Sequence, residues 1–169
     1  MGEPSTIINP QETRTRTPYE SPSITVRTDR SRLRNTEAGM SPALAASVKS
    51  EESIAVPLRK ERIAILDENG RVLGTNMGTE GQVAAPRGVN LNNAIITHNH
   101  PMVRAERKLG RSLASRVGTT LSPDDVKTSI RNNVKEIRAI TRGGYLYSLK
   151  RPASGWGVSE VPKSIQPLC

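Results

Sequence analysis

Ala94-Ile95-Ile96-Thr97-His98-Asn99-His100-Pro101 is the stretch on which the reading of this chain turns. A short apolar run of strand length leads straight into two histidines, and these are the only two in the sequence. A strand alternates its faces, so residues two apart point the same way. His98 and His100 therefore present two imidazoles on one face, where they can share one metal ion. Pro101 has no N–H to donate to a ladder and ends the strand there. The strand end is left open, as a reactive site requires.

Upstream, Ile63-Ala64-Ile65-Leu66 is a continuous apolar run, which suits a strand covered on both faces. Asp67-Glu68-Asn69-Gly70 follows, and Asn-Gly predicts a hairpin with Arg71 to Gly74 returning. Residues 78–88 read as loop, with Val83 in a candidate short strand, and residues 90–93 as a helical turn. Ser41-Pro42 predicts a helix over Ala43 to Val48, with Ser as N-cap and Pro in the first turn. The ordered core is expected from near Ser53.

Downstream, residues 102–121 are basic, with Arg104, Arg107, Lys108, Arg111 and Arg116, and carry Leu109, Leu113 and Val117 at helical spacing. They read as a mobile loop or a short amphipathic helix. Ser122-Pro123-Asp124-Asp125 opens a helix with an apolar stripe of Val126, Ile130 and Val134. Ile137, Ala139 and Thr141 predict a strand. Gly143-Gly144 turns it, and Tyr145 to Leu149 returns antiparallel. Three regions follow: a disordered arm over 1–40, a metal-binding domain over 41–151, and a loosely packed tail over 152–169 that holds Trp156.

The composition narrows the class. The 169 residues suffice for one modest domain with tails. With no Phe, one Trp and three Tyr, the core must be built from Ile, Leu, Val and Ala. A formal charge of +9 favours acidic partners, although plain solubility charge explains it equally well. The single cysteine, Cys169, forms no internal disulfide and no multi-thiolate zinc site. No apolar run approaches the roughly 20 residues of a membrane span. The first ten residues lack the basic start and apolar stretch of a secretory signal. A cytoplasmic location is expected, with a secreted effector or a phage-associated protein as alternatives.

Catalytic zinc usually takes three protein ligands and one water. A carboxylate must supply the third ligand here; Asp125 is the candidate, with its neighbour Asp124 as rival. A general base is also required, to accept the proton of the attacking water. Glu61 heads the first core strand and reaches the metal if that strand lies beside the histidine strand. Glu80, between glycines in a loop, is the rival base. Ser122 is the candidate donor to the oxyanion. Each feature also has a plainer reading. A lone His-x-His pair occurs often on strands, Ser122 to Asp125 is an ordinary capping box, and Glu61 is one acid in a charged stretch.

Taken together, His98-Asn99-His100-Pro101 followed by Ser122-Pro123-Asp124-Asp125, with Glu61 upstream, resembles the JAMM (MPN-type) metalloprotease motif, Glu … His-x-His-Pro … Ser-x-x-Asp. The His-Asn-His-Pro form is most similar to the RadC branch and to phage-associated JAMM-like domains. The resemblance spans residues 61–149. It implies zinc held by His98, His100 and Asp125, Glu61 as general base, and Ser122 assisting the oxyanion. It also implies an α/β fold, a cytidine-deaminase-like three-layer sandwich with a mixed sheet. Family members keep only a short stretch between the two halves of the motif, where this chain inserts residues 102–121. That insertion is expected to act as a lid or a partner-binding surface. A longer loop need not break the site, because doubling a loop's length costs only about 0.6 kcal/mol in closure entropy.

The expected function is a zinc-dependent peptidase or isopeptidase acting on a protein or peptide substrate, one with an acidic surface if the charge is used. One alternative is a JAMM-like binding or assembly module associated with phage or nucleic acid. With so few aromatic residues for base stacking, nucleic-acid binding would be to phosphates and blind to sequence. The other alternative is a delivered toxin or effector domain using the same metal.

Overall fold

The computed structural model describes residues 24–27, 37, 39–110, 114 and 121–156. In chain order the elements are β1 (Ile24–Arg27), α1 (Pro42–Ala55), β2 (Arg62–Leu66), β3 (Val72–Met77), β4 (Ile95–His100), α2 (Val103–Leu109), α3 (Pro123–Arg131), β5 (Glu136–Thr141) and β6 (Leu146–Lys150). The strands form one mixed sheet in the order β1-β6-β5-β4-β2-β3. β4 lies near its centre, antiparallel to β2 and parallel to β5. A parallel pair needs a crossover, and the connection from β4 to β5 carries α2 and α3.

The two faces of the sheet are covered differently. Ile63 and Ile65 of β2, Ile96 of β4, Ile137 of β5 and Leu149 of β6 share one cluster, against which Val126 of α3 packs. Ala64, Leu66 and Ile95 face the other way and meet Leu44 and Val48 of α1. The continuous apolar run over 63–66 is thus explained, because each half of it serves a different layer. Fully burying a side chain such as Leu44 or Val48 contributes roughly 1.5–3 kcal/mol.

Helix α1 starts where the sequence predicts: Ser41 Oγ accepts from the Leu44 backbone N–H at 3.2 Å and Pro42 opens the first turn. It continues to Ala55, beyond the expected end at Val48. Its buried face reads Leu44, Val48, Glu52, Ala55. The charged Glu52 interrupts the apolar stripe in the sequence, yet it is buried and paired with Arg138 of β5, Nε to Oε1 at 2.7 Å. Arg138 also bonds Glu136, Nη1 to Oε1 at 2.8 Å. Buried charges are tolerated when paired in this way.

The hairpin after β2 forms as Asn69-Gly70 predicts. Asp67 Oδ1 accepts from the Asn69 and Arg71 backbone N–H groups, each at 2.9 Å. Gly70 has φ +86°, and a Cβ there would sit 2.9 Å from Ala43 O and Leu44 Cα of α1. Both the left-handed conformation and the close approach require glycine. β3 runs further than expected, to Met77, and its residues are mostly exposed at the edge of the sheet.

Several expectations need correction. Residues 24–27, placed in a disordered arm, pair antiparallel with β6 from Ile24↔Leu149 to Arg27↔Leu146. The alternation of β-branched Ile24 and Val26 suits a strand, and the free edge of β6 accepts it. Trp156, expected in a loose tail, packs against the cleft-side core and donates Nε1–H to Val134 O at 3.0 Å. Val83 lies in no strand, and contributes to that same core from a loop. In α2 only Val103 is buried, while Leu109 is 47% exposed. Leu113 and Val117 lie outside the described residues, as do most of 1–40 and all of 157–169. Among the described residues, no helix is long and apolar enough to cross a membrane.

Candidate metal centre

The register of the sheet builds the site. Ile63 pairs with His98 in the antiparallel β2–β4 ladder. Continuing that register by two residues sets Glu61 opposite His100, on the same face as both histidines. This face opens into a cleft of about 1060 Å³, lined by Glu61, Glu80, His98, His100, Ser122 and Asp125 among others. The start of α3 closes its far side, delivered there by the crossover.

His98 Nε2 lies 3.0 Å from His100 Nε2 and 3.6 Å from Asp125 Oδ1. One ligand atom of each of the three residues lies within 4.8 Å of the others, and theirs is the one such group among the described residues. Two ligands each about 2.0–2.1 Å from a tetrahedral zinc ion are about 3.3 Å apart. The spacings of 3.0 and 3.6 Å straddle that value. Two imidazole nitrogens and one carboxylate oxygen also match the donor set of catalytic zinc sites. The residues therefore fit such an ion.

Asp125 has two jobs. Its Oδ2 accepts from the Ser122 backbone N–H at 2.7 Å and from Ser122 Oγ at 2.8 Å, while its own N–H donates to Ser122 Oγ at 3.1 Å. This is a capping box at the N-terminus of α3. It fixes the carboxylate so that Oδ1 turns to the histidines. Asp124, one position earlier, points outward with its side chain 92% exposed and lies 3.7 Å from Lys127. Asp125, and not Asp124, is the residue brought to the site. Ser122 lines the cleft, but its hydroxyl proton is directed at Asp125. In this arrangement Ser122 orients the Asp125 carboxylate; donating to an oxyanion would need that bond to open.

The electrostatics separate the groups. Burial lowers the His98 pKa to about 4; the Asp125 carboxylate opposes the shift, His100 adds to it, and a backbone contact to Arg138 opposes it. His98 is thus a neutral imidazole at neutral pH, the form that binds metal. Burial first, and the nearby Asp125 charge second, together raise Glu61 to about 7. A carboxyl group poised near neutrality is suited to accept and return a proton. Glu80 is exposed in the loop at the cleft mouth.

Reasoning from sequence missed Asn99, which is fully buried between the two histidines. Its Oδ1 accepts from the Arg62 backbone N–H at 2.6 Å and its Nδ2 donates to Lys60 O at 3.2 Å. A polar residue between the two histidines, one position from the end of the strand, was the only local signal. The buried Glu52–Arg138–Glu136 cluster was also missed; it fixes α1 to the opposite side of the sheet.

The chain is thus an α/β domain with a mixed sheet that carries a His-His-Asp group at the open end of a central strand. No protein-family model matches it, nor does any curated protein or solved structure.

Proposed function

We propose that this protein is a zinc-dependent peptidase or isopeptidase of the JAMM type, on a cytidine-deaminase-like three-layer sandwich. The observation that carries the reading is the convergence of His98, His100 and Asp125 in one cleft with the buried carboxyl of Glu61. The sequence resemblance supplies the same four residues from a separate direction.

His98, His100 and Asp125 would hold the zinc. When bound, the ion supplies Lewis-acid polarisation of the scissile carbonyl and acidifies a water. Glu61, with its pKa raised to about 7, takes the proton from the attacking water and returns it to the leaving amine. The capping box keeps Asp125 in place through the cycle. The cleft of about 1060 Å³ is open to solvent, as access for a polypeptide substrate requires. Exposed Arg104 on its rim favours a substrate with acidic residues nearby.

A second reading, a metal-bearing module that binds nucleic acid, draws on the +9 charge and on Arg104, Arg107 and Lys108 exposed on α2. It predicts sequence-blind, strongly salt-dependent binding and no cleavage.

The test is metal analysis of the purified protein beside a His98→Ala/His100→Ala variant, with hydrolysis of a quenched-fluorescent peptide mixture by parent and Glu61→Gln. Near-stoichiometric zinc in the parent, none in the double variant, and cleavage lost in Glu61→Gln is the expected result. Absence of zinc from parent and variant alike, without chelators in the preparation, would return the histidines to ordinary core residues.

A further inference from the structure

The backbone ladder between β2 and β4 stops at Ile63↔His98. Beyond it no backbone pairing joins the two strands, at the point where Glu61 must be held. On the β3 side the Glu61 backbone is fixed twice: its N–H donates to Thr79 O at 2.7 Å and its C=O accepts from the Gly78 N–H at 2.8 Å. In an extended chain the groups facing the other way belong to the flanking residues, Lys60 C=O and Arg62 N–H. Both are taken by one side chain, that of Asn99: Lys60 O accepts from Nδ2 at 3.2 Å and Arg62 N–H donates to Oδ1 at 2.6 Å.

We propose that Asn99 is a positioning residue for Glu61, its amide standing in for the missing strand and fixing the two peptide groups on either side of the base. The proposal rests on the reading of Glu61 as general base. It gives the His-Asn-His sequence a division of labour. His98 and His100 face the cleft, while Asn99, which is not among the cleft-lining residues, sets the carboxylate opposite them. A carboxylate cannot do the same, because it has no donor for Lys60 O, and an aliphatic side chain satisfies neither group. Asn99 is fully buried, so water cannot take its place without rearrangement. Displacing a catalytic group by about 1 Å can lower a rate by about 100-fold.

The experiment uses the full zinc-loaded chain with Asn99→Leu, which keeps the number and branching of side-chain heavy atoms, Asn99→Ser, too short to span both partners, and Asn99→Asp, which keeps the acceptor for Arg62. Val48→Ala, on the buried face of α1, serves as a destabilised control. Four quantities are measured: exchange of the Arg62 amide by NMR, zinc affinity by chelator competition, and kcat and KM on the quenched-fluorescent peptide mixture. In Asn99→Leu and Asn99→Ser the Arg62 amide should exchange at least about tenfold faster and kcat should fall about 100-fold. Zinc affinity and KM should stay close to the parent's. Asn99→Asp should restore Arg62 protection and part of kcat, and Val48→Ala should lose stability without losing kcat. Either of the first two variants suffices if the other fails to fold.

The proposal is overturned if Arg62 exchange is unchanged, if zinc affinity falls as far as kcat, or if Val48→Ala loses kcat equally. A parent that holds zinc but cleaves nothing overturns the hydrolase reading, and shows it before any Asn99 variant is made. A parent that cleaves, with Asn99 variants that cleave equally well, overturns the Asn99 proposal alone.

Discussion

Asp125→Asn separates the two jobs of one carboxylate. Oδ2 closes the capping box with Ser122, and Oδ1 faces His98 Nε2 at 3.6 Å. Asparagine keeps one carbonyl oxygen, which can still accept from the Ser122 N–H, but places an NH2 group where the ligand oxygen stood. The cap should survive nearly intact and the metal site should not. Losing a residue that merely orients a ligand costs 10–100-fold in metal affinity, so losing the ligand itself should cost at least about 100-fold. Zinc held free at 100 times the parent's Kd stabilises the parent by about 2.7 kcal/mol. The same zinc concentration would then equal the variant's Kd and stabilise it by only about 0.4 kcal/mol. Asp125→Ala should also lose the reciprocal half of the box, the bonds to Oδ2, while Ser122 Oγ still accepts from the residue 125 N–H, lowering metal-free stability by about 1 kcal/mol. Ser122→Ala should show a similar metal-free loss, with zinc affinity reduced 10–100-fold because Oδ1 is no longer oriented. Urea unfolding at fixed, buffered zinc and again with chelator gives all these numbers. If Asp125→Asn gained as much from zinc as the parent does, Asp125 would not be a ligand. If Asp125→Ala matched the parent without metal, the box would contribute nothing to α3.

Glu61 sets a pH dependence on the metal-free protein. Its folded pKa, about 7, lies above its ordinary value of 4.5, so the folded state resists ionisation. Stability is full below 4.5 and is lost as pH rises through about 7. Metal-free Glu61→Gln should therefore gain Tm over the parent at pH 8 but not at pH 4, and an equal offset at both would refute the shift. His98 runs the other way: its folded pKa, about 4, lies below 6.5, so stability is full above 6.5 and is lost as pH falls through about 4. Its imidazole resonances should stay those of the neutral ring at pH 5.5. Arg138→Met leaves the buried Glu52 without its cation and Glu136 with only Lys150 at 3.7 Å, and should cost about 3–5 kcal/mol in urea unfolding; a loss under about 1 kcal/mol would mean that the carboxylates find water or other partners. If the nucleic-acid reading holds, affinity for a DNA duplex should fall steeply between 50 and 200 mM salt; a flat response would remove it.

What could be read from the chain divides according to how far apart the interacting residues lie. Apolar runs such as 63–66 and 94–96 announce strands because burial on both faces demands continuous hydrophobicity, and these strands fall where expected. His98 and His100 are legible because strand alternation alone puts them together. The Ser-x-x-Asp spacing already favours Asp125 over Asp124, and the geometry shows why. The two are adjacent in sequence, but about 100° of helical rotation sends one back to Ser122 and the other to solvent. The buried polar residues are the hardest to foresee. Glu52 reads as a helix-surface acid until Arg138, 86 positions away, is placed beneath it. Asn99 reads as a spacer until the amide is seen to close a gap with partners 37 and 39 positions away. These are also the residues whose loss leaves unsatisfied groups in the interior, at about 1–3 kcal/mol for each neutral one and more for charges. The sheet thus follows from local pattern. What fixes the cleft in place is polar: Ser122 at Asp125 is a local cap three residues long, whereas Asn99 at Glu61 and Arg138 under α1 are bonds that close only after the fold has brought their ends together.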